Sequence, residues 1–379
     1  MYIGTVRNAE EAQQAKELAL VIFSGNVNQE IEDERDRKNF IWQDVDDIKL
    51  SDIVVAVDED NRVIGVVRIV YRNINRTSQR YRCAGLTSIC VAPDWRGKGL
   101  SVKVMDSAHE VARQAECEIA LLVARKAVDH YYNKFDYWGL SSYNRVIIKT
   151  SELAAIESSG VCFSPCDEES LEQYERWYRR CYAKSFGAAN RSIQYWQFLL
   201  KKMSFQGVSC SNMCIGEYTA GYVIHSGAVI HEIAFDEKFN ALGALAVFSR
   251  MHEDTIELEI EQQHPLVQDL ANIDFRISTR QCMFGGHMVK ILDLKAVTEK
   301  LKDRIIGRAT KYGYQPTTES HARVEISWNG KDAEVSLQAE LNKVGFETTA
   351  LLLGARMLTT NHTSLDSPAC FNLLLPDQV

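Results

Sequence analysis

Two strongly apolar segments, AGLTSICVAP and EIALLVA, are joined by a glycine-containing turn and a longer amphipathic stretch. In that stretch, residues 102–115, apolar side chains recur at steps of three and four, which predicts a helix. The turn before it reads Arg96-Gly97-Lys98-Gly99. The order strand, turn, helix, strand restricts this part of the chain to folds that combine helices with a sheet.

The rest of the first 150 residues has the same mixed character. Residues 53–72 contain two apolar runs separated by turn residues at 58–61, which predicts a β-hairpin. Apolar residues at helical spacing predict a helix in 9–23, and a short helix is predicted for 127–136. We therefore expect an α+β fold with mixed, α/β-like sheets.

The chain of 379 residues is too long for one ordinary hydrophobic core, so two or three domains are expected. Residues 151–285 crudely repeat the element order of 1–150, without a glycine-rich turn at the corresponding place. From residue 286 the pattern changes again, and a hairpin is predicted with Asn329-Gly330 as its turn. The predicted domains are therefore 1–150, 151–285 and 286–379.

Composition argues against several functions. The net charge of −8 argues against nucleic acid or an anionic membrane as the main partner. No apolar run approaches the roughly 18 residues of a membrane helix, and the N-terminal sequence lacks the layout of a secretory signal, so we expect a cytoplasmic protein. Residues 24–52 hold nine acidic and four basic side chains. That excess is either a solvated helical face or a surface that attracts cations.

Two cysteine pairs have a spacing that metal ligands can have: Cys162/Cys166 and Cys210/Cys214. The spacing is loose, and no nearby histidine completes either pair. Most of the ten cysteines have apolar neighbours, which favours buried, reduced thiols. We therefore predict no metal site.

A group of polar residues lies on strand patterns in the middle region: His225, His231 and Glu232. Such residues can form a metal site or a base. Because their region lacks a cofactor motif, hydrogen-bonded core or interface residues are the favoured interpretation. No Ser/His/Asp set with a recognisable nucleophile turn occurs in the sequence.

The turn RGKGLS, residues 96–101, is a candidate anion site. The N-terminus of a helix has unpaired backbone N–H groups and a partial positive charge. Glycines allow a ligand close to the backbone, and Arg and Lys add charge-assisted hydrogen bonds. The alternative is an ordinary strand-to-helix turn with solvated cations, and the hexapeptide alone does not decide between them.

The pattern V-x-P-x-x-R-G-x-G-L after a strand, followed by a helix, a strand and Y-x-K-F-x-Y, resembles the GNAT acyltransferase superfamily. The resemblance implies that the pyrophosphate of acetyl-CoA lies on the backbone amides of this turn. The residues implied there are Arg96, Gly97, Lys98, Gly99 and Ser101. It also implies that the pantetheine arm pairs like an extra strand with the backbone of Ile89 and Val91.

In the same resemblance, Tyr132 occupies the general-acid position, from which a hydroxyl donates a proton to the departing CoA sulfur. Without the resemblance, an isolated tyrosine on an apolar helix is expected to pack in the core. Tyr131 is the neighbour most easily confused with it, since successive helix positions point about 100° apart. Asp136 stands where the family usually has glycine.

The arrangement of an active GNAT domain, a second GNAT-like domain without a cofactor motif and a sterol-carrier-protein-like lobe is similar to the Eis-type (enhanced intracellular survival) acetyltransferases. "HMVKILDL" and the ending "FNLLLPDQV" resemble that family as well. The resemblance implies a homo-oligomer. It also implies that the terminal carboxylate, here of Val379, acts as base, although the family usually ends in an aromatic residue.

Acetylation of an amine needs the amine in its neutral form, and a lysine-like amine has a pKa of about 10.4, so a base near the acceptor helps. We expect an acetyl-CoA-dependent N-acetyltransferase that acts on an amine of a cationic small molecule, aminoglycoside-like or polyamine-like. Acetylation of protein or peptide amines and a non-catalytic acyl-CoA-binding scaffold stay open as alternatives.

Overall fold

The computed structural model describes residues 1–24, 48–76, 79–124, 126–139, 142–182, 188–205, 207–260, 264–281, 286–301, 318–321, 324–328 and 333–337. The described strands form sheets of eight, seven and three strands, with helices packed against the two larger ones. The α+β fold class with mixed sheets is therefore confirmed.

The first sheet carries the predicted strand–turn–helix–strand unit. Its strands are β1 (Tyr2–Thr5), β2 (Ile53–Val57), β3 (Val63–Arg76), β4 (Gln79–Val91), β5 (Ile119–Ala124), β6 (Trp138–Gly139), β9 (Ala188–Ala189) and β15 (Gly286–Ile291). The α-helices of this part that the structure describes are α1 (Ala9–Ser24) and α2 (Leu100–Gln114). The strand order is β1-β2-β3-β4-β5-β15-β6, with β9 paired to β3.

The predicted hairpin of residues 53–72 is confirmed, because β2 and β3 pair antiparallel. Asp58 makes the turn between them: its side chain accepts hydrogen bonds from the backbone N–H groups of Asp60 and Arg62. Asn61 adopts a positive φ of 59°, which Asn tolerates better than most residues. Local side-chain-to-backbone bonding therefore sets this turn.

The predicted helix over 102–115 is observed as α2, which begins two residues earlier. Its buried side chains share one face: Leu100, Val104, Met105, Ala108, His109 and Ala112. The apolar residues of this face pack against the first sheet in a continuous apolar cluster. Burial of this face, at roughly 25 cal/mol per Å² of apolar surface, is what fixes the helix against the sheet.

A β-bulge deforms β4 just before the glycine turn. Val66 lies opposite Cys90, but Arg68 lies opposite Thr87, so β4 carries an extra residue between these pairs. Ser88, inside the bulge, has a φ of +53°. Bulges of this kind bend a strand and redirect its edge.

Strands β4 and β5 are parallel neighbours for only a short distance. Their pairing runs from Cys83 opposite Ile119 to Gly85 opposite Leu121, and it ends there although β4 continues to Val91. Among the described residues no strand pairs with β4 on this side beyond Gly85. The two strands therefore open a gap at the end where α2 begins.

The second sheet repeats this arrangement. Its strands are β7 (Ser142–Lys149), β8 (Val161–Pro165), β10 (Ser209–Ile215), β11 (Tyr218–Ser226), β12 (Val229–Phe235), β13 (Thr255–Ile260) and β14 (Arg276–Gln281). Its helices are α3 (Thr150–Leu153), α4 (Leu171–Tyr182), α5 (Ile193–Phe205), α6 (Ala241–Ser249) and α7 (Leu266–Leu270). The strand order is β14-β7-β13-β12-β11-β10-β8, and β12 and β13 are parallel, with α6 between them in sequence.

The chain exchanges strands between the two large sheets. β7 lies before the predicted boundary at 150 but belongs to the second sheet, whereas β15 lies after the boundary at 285 but pairs with β5 and β6. β9 likewise adds to the edge of β3. The division into three domains stays a prediction. Any such division has to account for the strands that cross the predicted boundaries.

The third sheet is small and comprises β16 (Thr318–His321), β17 (Val324–Trp328) and β18 (Ala333–Leu337). β17 and β18 pair antiparallel on either side of Asn329-Gly330, so the predicted hairpin is confirmed; the turn residues themselves lie outside the described residues. The sterol-carrier-protein-like lobe stays a prediction. None of the described helices is long and apolar enough to span a membrane.

Candidate acyl-CoA site

The glycine turn between β4 and α2 places two residues in the left-handed region. Gly97 and Gly99 have φ values of +74° and +75°, and Gly99 is the N-cap residue of α2. A Cβ at either position would meet no atom within 4 Å. The glycines are therefore required by backbone conformation, while the space beside the turn stays open to a ligand.

The first turn of α2 is electrostatically ready for an anion. No side chain caps it, and it contains no acidic residue. The Val102 N–H bonds to the Gly99 carbonyl oxygen at 3.1 Å, and the residues before it carry the N–H groups that a helix leaves unpaired. These amides and the helix dipole favour negative charge at this place.

Two exposed cations flank these amides. The Arg96 Nε donates to the Val91 carbonyl oxygen at 3.2 Å, and the Lys98 Nζ lies 4.7 Å from the centre of the Trp95 ring. Neither forms an ion pair with a described carboxylate, since Asp94 is held by Arg62 at 2.6 Å. The hydrogen bond from Arg62 lowers the pKa of Asp94. Both cations thus keep their charge available for a ligand.

The predicted arm-binding residues lie on the free edge of β4. Ile89 and Val91 are half-buried, follow the bulge at Ser88 and lie in the part of β4 beyond its pairing with β5. Both pack against the cluster that also contains Leu100 of α2. The fold therefore brings the predicted strand edge and the predicted anion turn together at one end of the first sheet.

The predicted short helix is a 3-10 helix, Lys126–Phe135. Tyr132 lies in it with 8% of its surface exposed, as part of the same apolar cluster as α2. Its ring lies 5.2 Å from that of Tyr131 and 6.3 Å from that of Tyr137, centre to centre. Because a 3-10 helix has three residues per turn, the side chains of Tyr131 and Tyr132 point in directions that differ from those in an α-helix.

Tyr131, the alternative acid, differs from Tyr132 in one respect that sequence does not reveal. Its hydroxyl is buried and has no hydrogen-bond partner among the described residues. The Lys134 ammonium lies 3.6 Å from the centre of the Tyr131 ring, a cation–π contact. Both tyrosines are therefore candidates on geometry, and a direct comparison of the two is needed.

Asp136 occupies a backbone conformation that explains why the family usually has glycine here. Its φ is +68°, and Asp is one of the few residues that tolerate this region. Asp136 is 2% exposed, and its carboxylate accepts the indole N–H of Trp138 at 2.7 Å. The side chain thus stabilises the tight turn that glycine makes elsewhere.

Beneath the tyrosine helix lies a buried polar contact that sequence analysis missed. The His109 Nε2 is 3.0 Å from the Tyr137 hydroxyl. Burial, followed by the charges of Lys290 and Arg113, lowers the pKa of His109 to about 3. A neutral imidazole is thus held behind the aromatic layer. In the sequence His109 is only one polar residue on the apolar face of a helix, which gives no signal.

Two sequence predictions fall outside the described residues. Val379, the predicted base, is one of them, and so is most of the acidic segment, at 25–47. Their roles stay predictions.

The cysteines that lie close together in the fold belong to neighbouring chain segments and are not those spaced four residues apart in the sequence. Cys166 Sγ and Cys210 Sγ lie 2.6 Å apart, and Cys162 is directly opposite Cys214 on the neighbouring strand. No group of three or more possible metal ligands occurs among the described residues.

The two histidines and the acid of the middle region do not share a common partner among the described residues. Glu232 forms a fully buried pair with Arg191, with both N–O distances 2.7 Å. His225 packs its ring on Phe248 with centres 5.0 Å apart, and His231 bonds to two other side chains described below. Each group has its own partners, as the structural interpretation predicts.

Comparison with known proteins agrees with this geometry. Residues 6–140 match the family model of the acetyltransferase (GNAT) domain. The sequence has no match among curated proteins. This part of the chain is a GNAT acetyltransferase domain.

Solved structures share the fold over most of the chain. A probable N-acyltransferase from Enterococcus faecalis has a TM-score of 0.62 and 14% identity, covering 89% of this chain and 85% of that one. A GCN5-related N-acetyltransferase from Kribbella flavida has a TM-score of 0.59 and 14% identity, covering 90% and 86%. Eis1 from Mycobacterium abscessus has a TM-score of 0.58 and 15% identity, covering 89% and 86%. The predicted resemblance to Eis-type proteins is thereby confirmed at the level of fold.

Proposed function

We propose that the protein transfers the acetyl group of acetyl-CoA to an amine of a cationic small molecule. The observation that carries the proposal is the gap between β4 and β5, which opens onto the uncapped, glycine-containing start of α2. A GNAT domain binds acetyl-CoA or a related acyl-CoA, and the residues here fit that group. The amides at 96–101 would hold the pyrophosphate, with Arg96 and Lys98 beside it.

The strand edge supplies the second half of the proposed binding. The backbone at Ile89 and Val91 would pair with the amides of the pantetheine arm, as one strand pairs with another. Arg96 Nε bonds to the Val91 carbonyl oxygen, so binding of the arm exchanges that contact for a new one. The thioester would then lie toward the tyrosine helix.

Tyr132 is the proposed general acid. Its hydroxyl would give its proton to the thiolate sulfur as the carbon–sulfur bond breaks, which avoids releasing a free thiolate. The amine has to lose a proton to attack, and we assign that step to the terminal carboxylate of Val379. A cationic acceptor suits the acidic segment at 24–52, and it is what the resemblance to Eis-type acetyltransferases implies.

The acid assignment is tested by a matched pair of variants, Tyr132→Phe and Tyr131→Phe. Loss of one positioned acid costs about 10²–10⁴-fold in kcat. We expect that loss for Tyr132→Phe, with acetyl-CoA binding intact, and a near-normal rate for Tyr131→Phe. The reverse result would move the acid to Tyr131, and unchanged turnover in both would remove tyrosine from the mechanism.

The acceptor is tested by thiol release from acetyl-CoA across a panel of aminoglycosides, polyamines and lysine-containing peptides. The proposal predicts turnover with the small cationic amines. Turnover with peptides alone would instead favour protein acetylation. Binding of acetyl-CoA without turnover by any acceptor would favour the scaffold alternative.

The base, the homo-oligomer and the cytoplasmic location remain part of the proposal. Removal of the last two residues tests the base directly, because the carboxylate would be displaced while the fold of the first sheet is kept. Undiminished activity in a folded, shortened protein would contradict it.

A further inference from the structure

A line of three hydrogen-bonded side chains crosses the second sheet. The Ser226 Oγ lies 2.7 Å from the His231 Nε2, and the His231 Nδ1 lies 3.0 Å from the Glu259 Oε2. The order hydroxyl, imidazole Nε2, imidazole Nδ1, carboxylate is the order in which serine hydrolases connect nucleophile, base and orienting acid. No step of the proposed acetyl transfer uses these residues.

The fold brings them together from three strands. Ser226 ends β11 at a hairpin, and a bulge in β12 makes His231 the extra residue, because Ile224 faces Glu232 but His225 faces Ile230. β13 runs parallel to β12 with Ile230 opposite Leu258, which sets Glu259 beside His231. Bulges commonly redirect one side chain in this way. Ser226 and His231 are five residues apart and Glu259 is 28 residues after His231, a spacing that matches no recognised motif.

The exposure of the three residues follows the pattern that catalysis requires. His231 is 9% exposed, whereas Ser226 and Glu259 are half-buried, so the serine residue is more exposed than the histidine that would act as its base. Gly227, next in sequence, is exposed, and a Cβ there would meet no atom within 4 Å. The hairpin turn next to Ser226 is therefore at the protein surface.

The Gly227 N–H is a candidate donor for a developing oxyanion. It makes no hydrogen bond to the residues that the structure describes. The backbone N–H that follows the nucleophile is one of the donors used in serine hydrolases with a nucleophile elbow. A left-handed φ of +54° at Gly227 sets the direction of this segment.

The electrostatics fix the tautomer of the imidazole. Burial of Glu259 raises its pKa, but the hydrogen bonds and charges of His231 and Arg145 outweigh burial, so the pKa of Glu259 is lowered. The ionised Glu259 accepts only, so the Nδ1 must carry the hydrogen. In the neutral imidazole the Nε2 is then the acceptor of the Ser226 hydroxyl. Arg145 lies 3.4 Å from the other Glu259 oxygen and holds that carboxylate in place.

We propose that Ser226, His231 and Glu259 form a second catalytic site, which hydrolyses small, activated acyl esters. The Ser226 Oγ bonds to the acyl carbon while its proton passes to the His231 Nε2. The bond to the leaving oxygen then breaks, and that oxygen takes the proton from His231. Water, deprotonated by His231, attacks the acyl-serine, and Ser226 regains its proton as the acid leaves.

The test uses the full-length protein, with p-nitrophenyl acetate as substrate and a fluorophosphonate as covalent probe. We expect the probe on Ser226 by peptide mass spectrometry. We also expect a hydrolysis rate at least 100-fold lower in Ser226→Ala and His231→Gln. Ser211→Ala is the control, since Ser211 is a half-buried serine on the same sheet without a histidine partner. Its rate should match the parent protein.

The two activities separate the two proposals. Tyr132→Phe should abolish amine acetylation and leave ester hydrolysis, and Ser226→Ala should do the opposite. Absence of the probe from Ser226 in the parent protein would overturn the second site, as would equal hydrolysis by parent and Ser226→Ala. Failure of acetyl transfer with every amine would overturn only the proposed function.

Discussion

The two large sheets contain the same strand–helix–strand unit, and they differ in what lies between the parallel strands. In the first sheet, β4 and β5 separate after Gly85. Beyond this point, the side-chain hydrogen bond described at the β4 edge is the one from the Arg96 Nε to the Val91 carbonyl oxygen. In the second, β12 and β13 pair at Val229 and Ile230 and then separate as well. The geometry of an acyl-CoA gap is thus present twice.

The second gap is filled by the protein itself. The Tyr182 hydroxyl accepts the Ile233 N–H at 3.2 Å and donates to the Ile233 carbonyl oxygen at 3.1 Å. The His264 Nε2 also lies 2.9 Å from that oxygen. These contacts satisfy the backbone groups that an extended ligand would need. The strand edge of β12 is therefore closed to a ligand.

The helices that follow the two gaps differ in whether a side chain caps their N-terminus. α2 begins at Gly99 without a side-chain cap, whereas α6 begins with Asn240, whose side chain accepts the Gly243 N–H at 2.9 Å. A capped helix has fewer free N–H groups to offer an anion. The comparison teaches that the binding site depends on backbone groups left unsatisfied, more than on the fold that surrounds them.

The largest effect is expected at the buried ion pair of the second sheet. Arg191 and Glu232 are fully buried as a pair, so Arg191→Met leaves an unpaired carboxylate and should lower the free energy of unfolding by about 3–5 kcal/mol. The double variant Arg191→Met/Glu232→Leu should recover much of the loss. Chemical denaturation measures both; an unstable double variant would mean that shape, not charge, dominates.

The next largest effect is a loss of stability at acid pH, which is expected from the two buried histidines. Burial first of all lowers the pKa of His109 to about 3 and that of His264 to about 4. Below the unfolded pKa of about 6.5 the unfolded chain takes up protons that the folded chain refuses, so stability falls as pH falls.

For His109 the loss reaches about 3 kcal/mol by pH 4 and continues to about pH 3, whereas the contribution of His264 levels off near pH 4. Unfolding free energies at pH 7 and pH 4 measure the slope. His109→Gln should flatten it, and an unchanged slope would show that the imidazole is protonated in the folded protein.

A smaller effect concerns the cations beside α2. Arg96→Ala and Lys98→Ala each remove one charge-assisted contact worth about 1.5–3 kcal/mol, so the Kd for acetyl-CoA should rise about 10- to 100-fold. Lys238→Ala is the control, because Lys238 is exposed in the turn before α6, the corresponding place in the second sheet. A rise for Lys238→Ala would contradict the assignment of the site to the first sheet.

The smallest effect is expected from Tyr182→Phe, which removes a hydroxyl that bonds both backbone groups of Ile233. The cost should be about 1–3 kcal/mol in unfolding free energy, since His264 still bonds to the Ile233 carbonyl oxygen. Affinity for acetyl-CoA at the first sheet should not change. A changed affinity would show that the two gaps are coupled.

Sequence predicted the local parts of this account well. Apolar periodicity predicted α2 and the β2–β3 hairpin, because burial of one face governs each element. The positive φ values of Gly97 and Gly99 agree with the turn that the glycines in the sequence predict. The bulge at Ser88, by contrast, depends on the register between two strands, which no local pattern contains.

Long-range pairing could not be predicted. β7 and β15 exchange sheets, and nothing in an apolar run of that length specifies its neighbour. The same limit hid the closure of the second gap, since Tyr182 and His264 lie on either side of Ile233 in sequence and meet it only in the fold. A satisfied strand edge looks identical to a free one in sequence.

Titration calorimetry of acetyl-CoA into the full-length protein tests the central claim most directly. The account predicts one molecule bound per chain, with the affinity reduced at least tenfold in Arg96→Ala/Lys98→Ala and unchanged in Lys238→Ala. Two molecules per chain, or unchanged affinity in the Arg96→Ala/Lys98→Ala variant, would contradict the claim that only the first sheet holds an open acyl-CoA site.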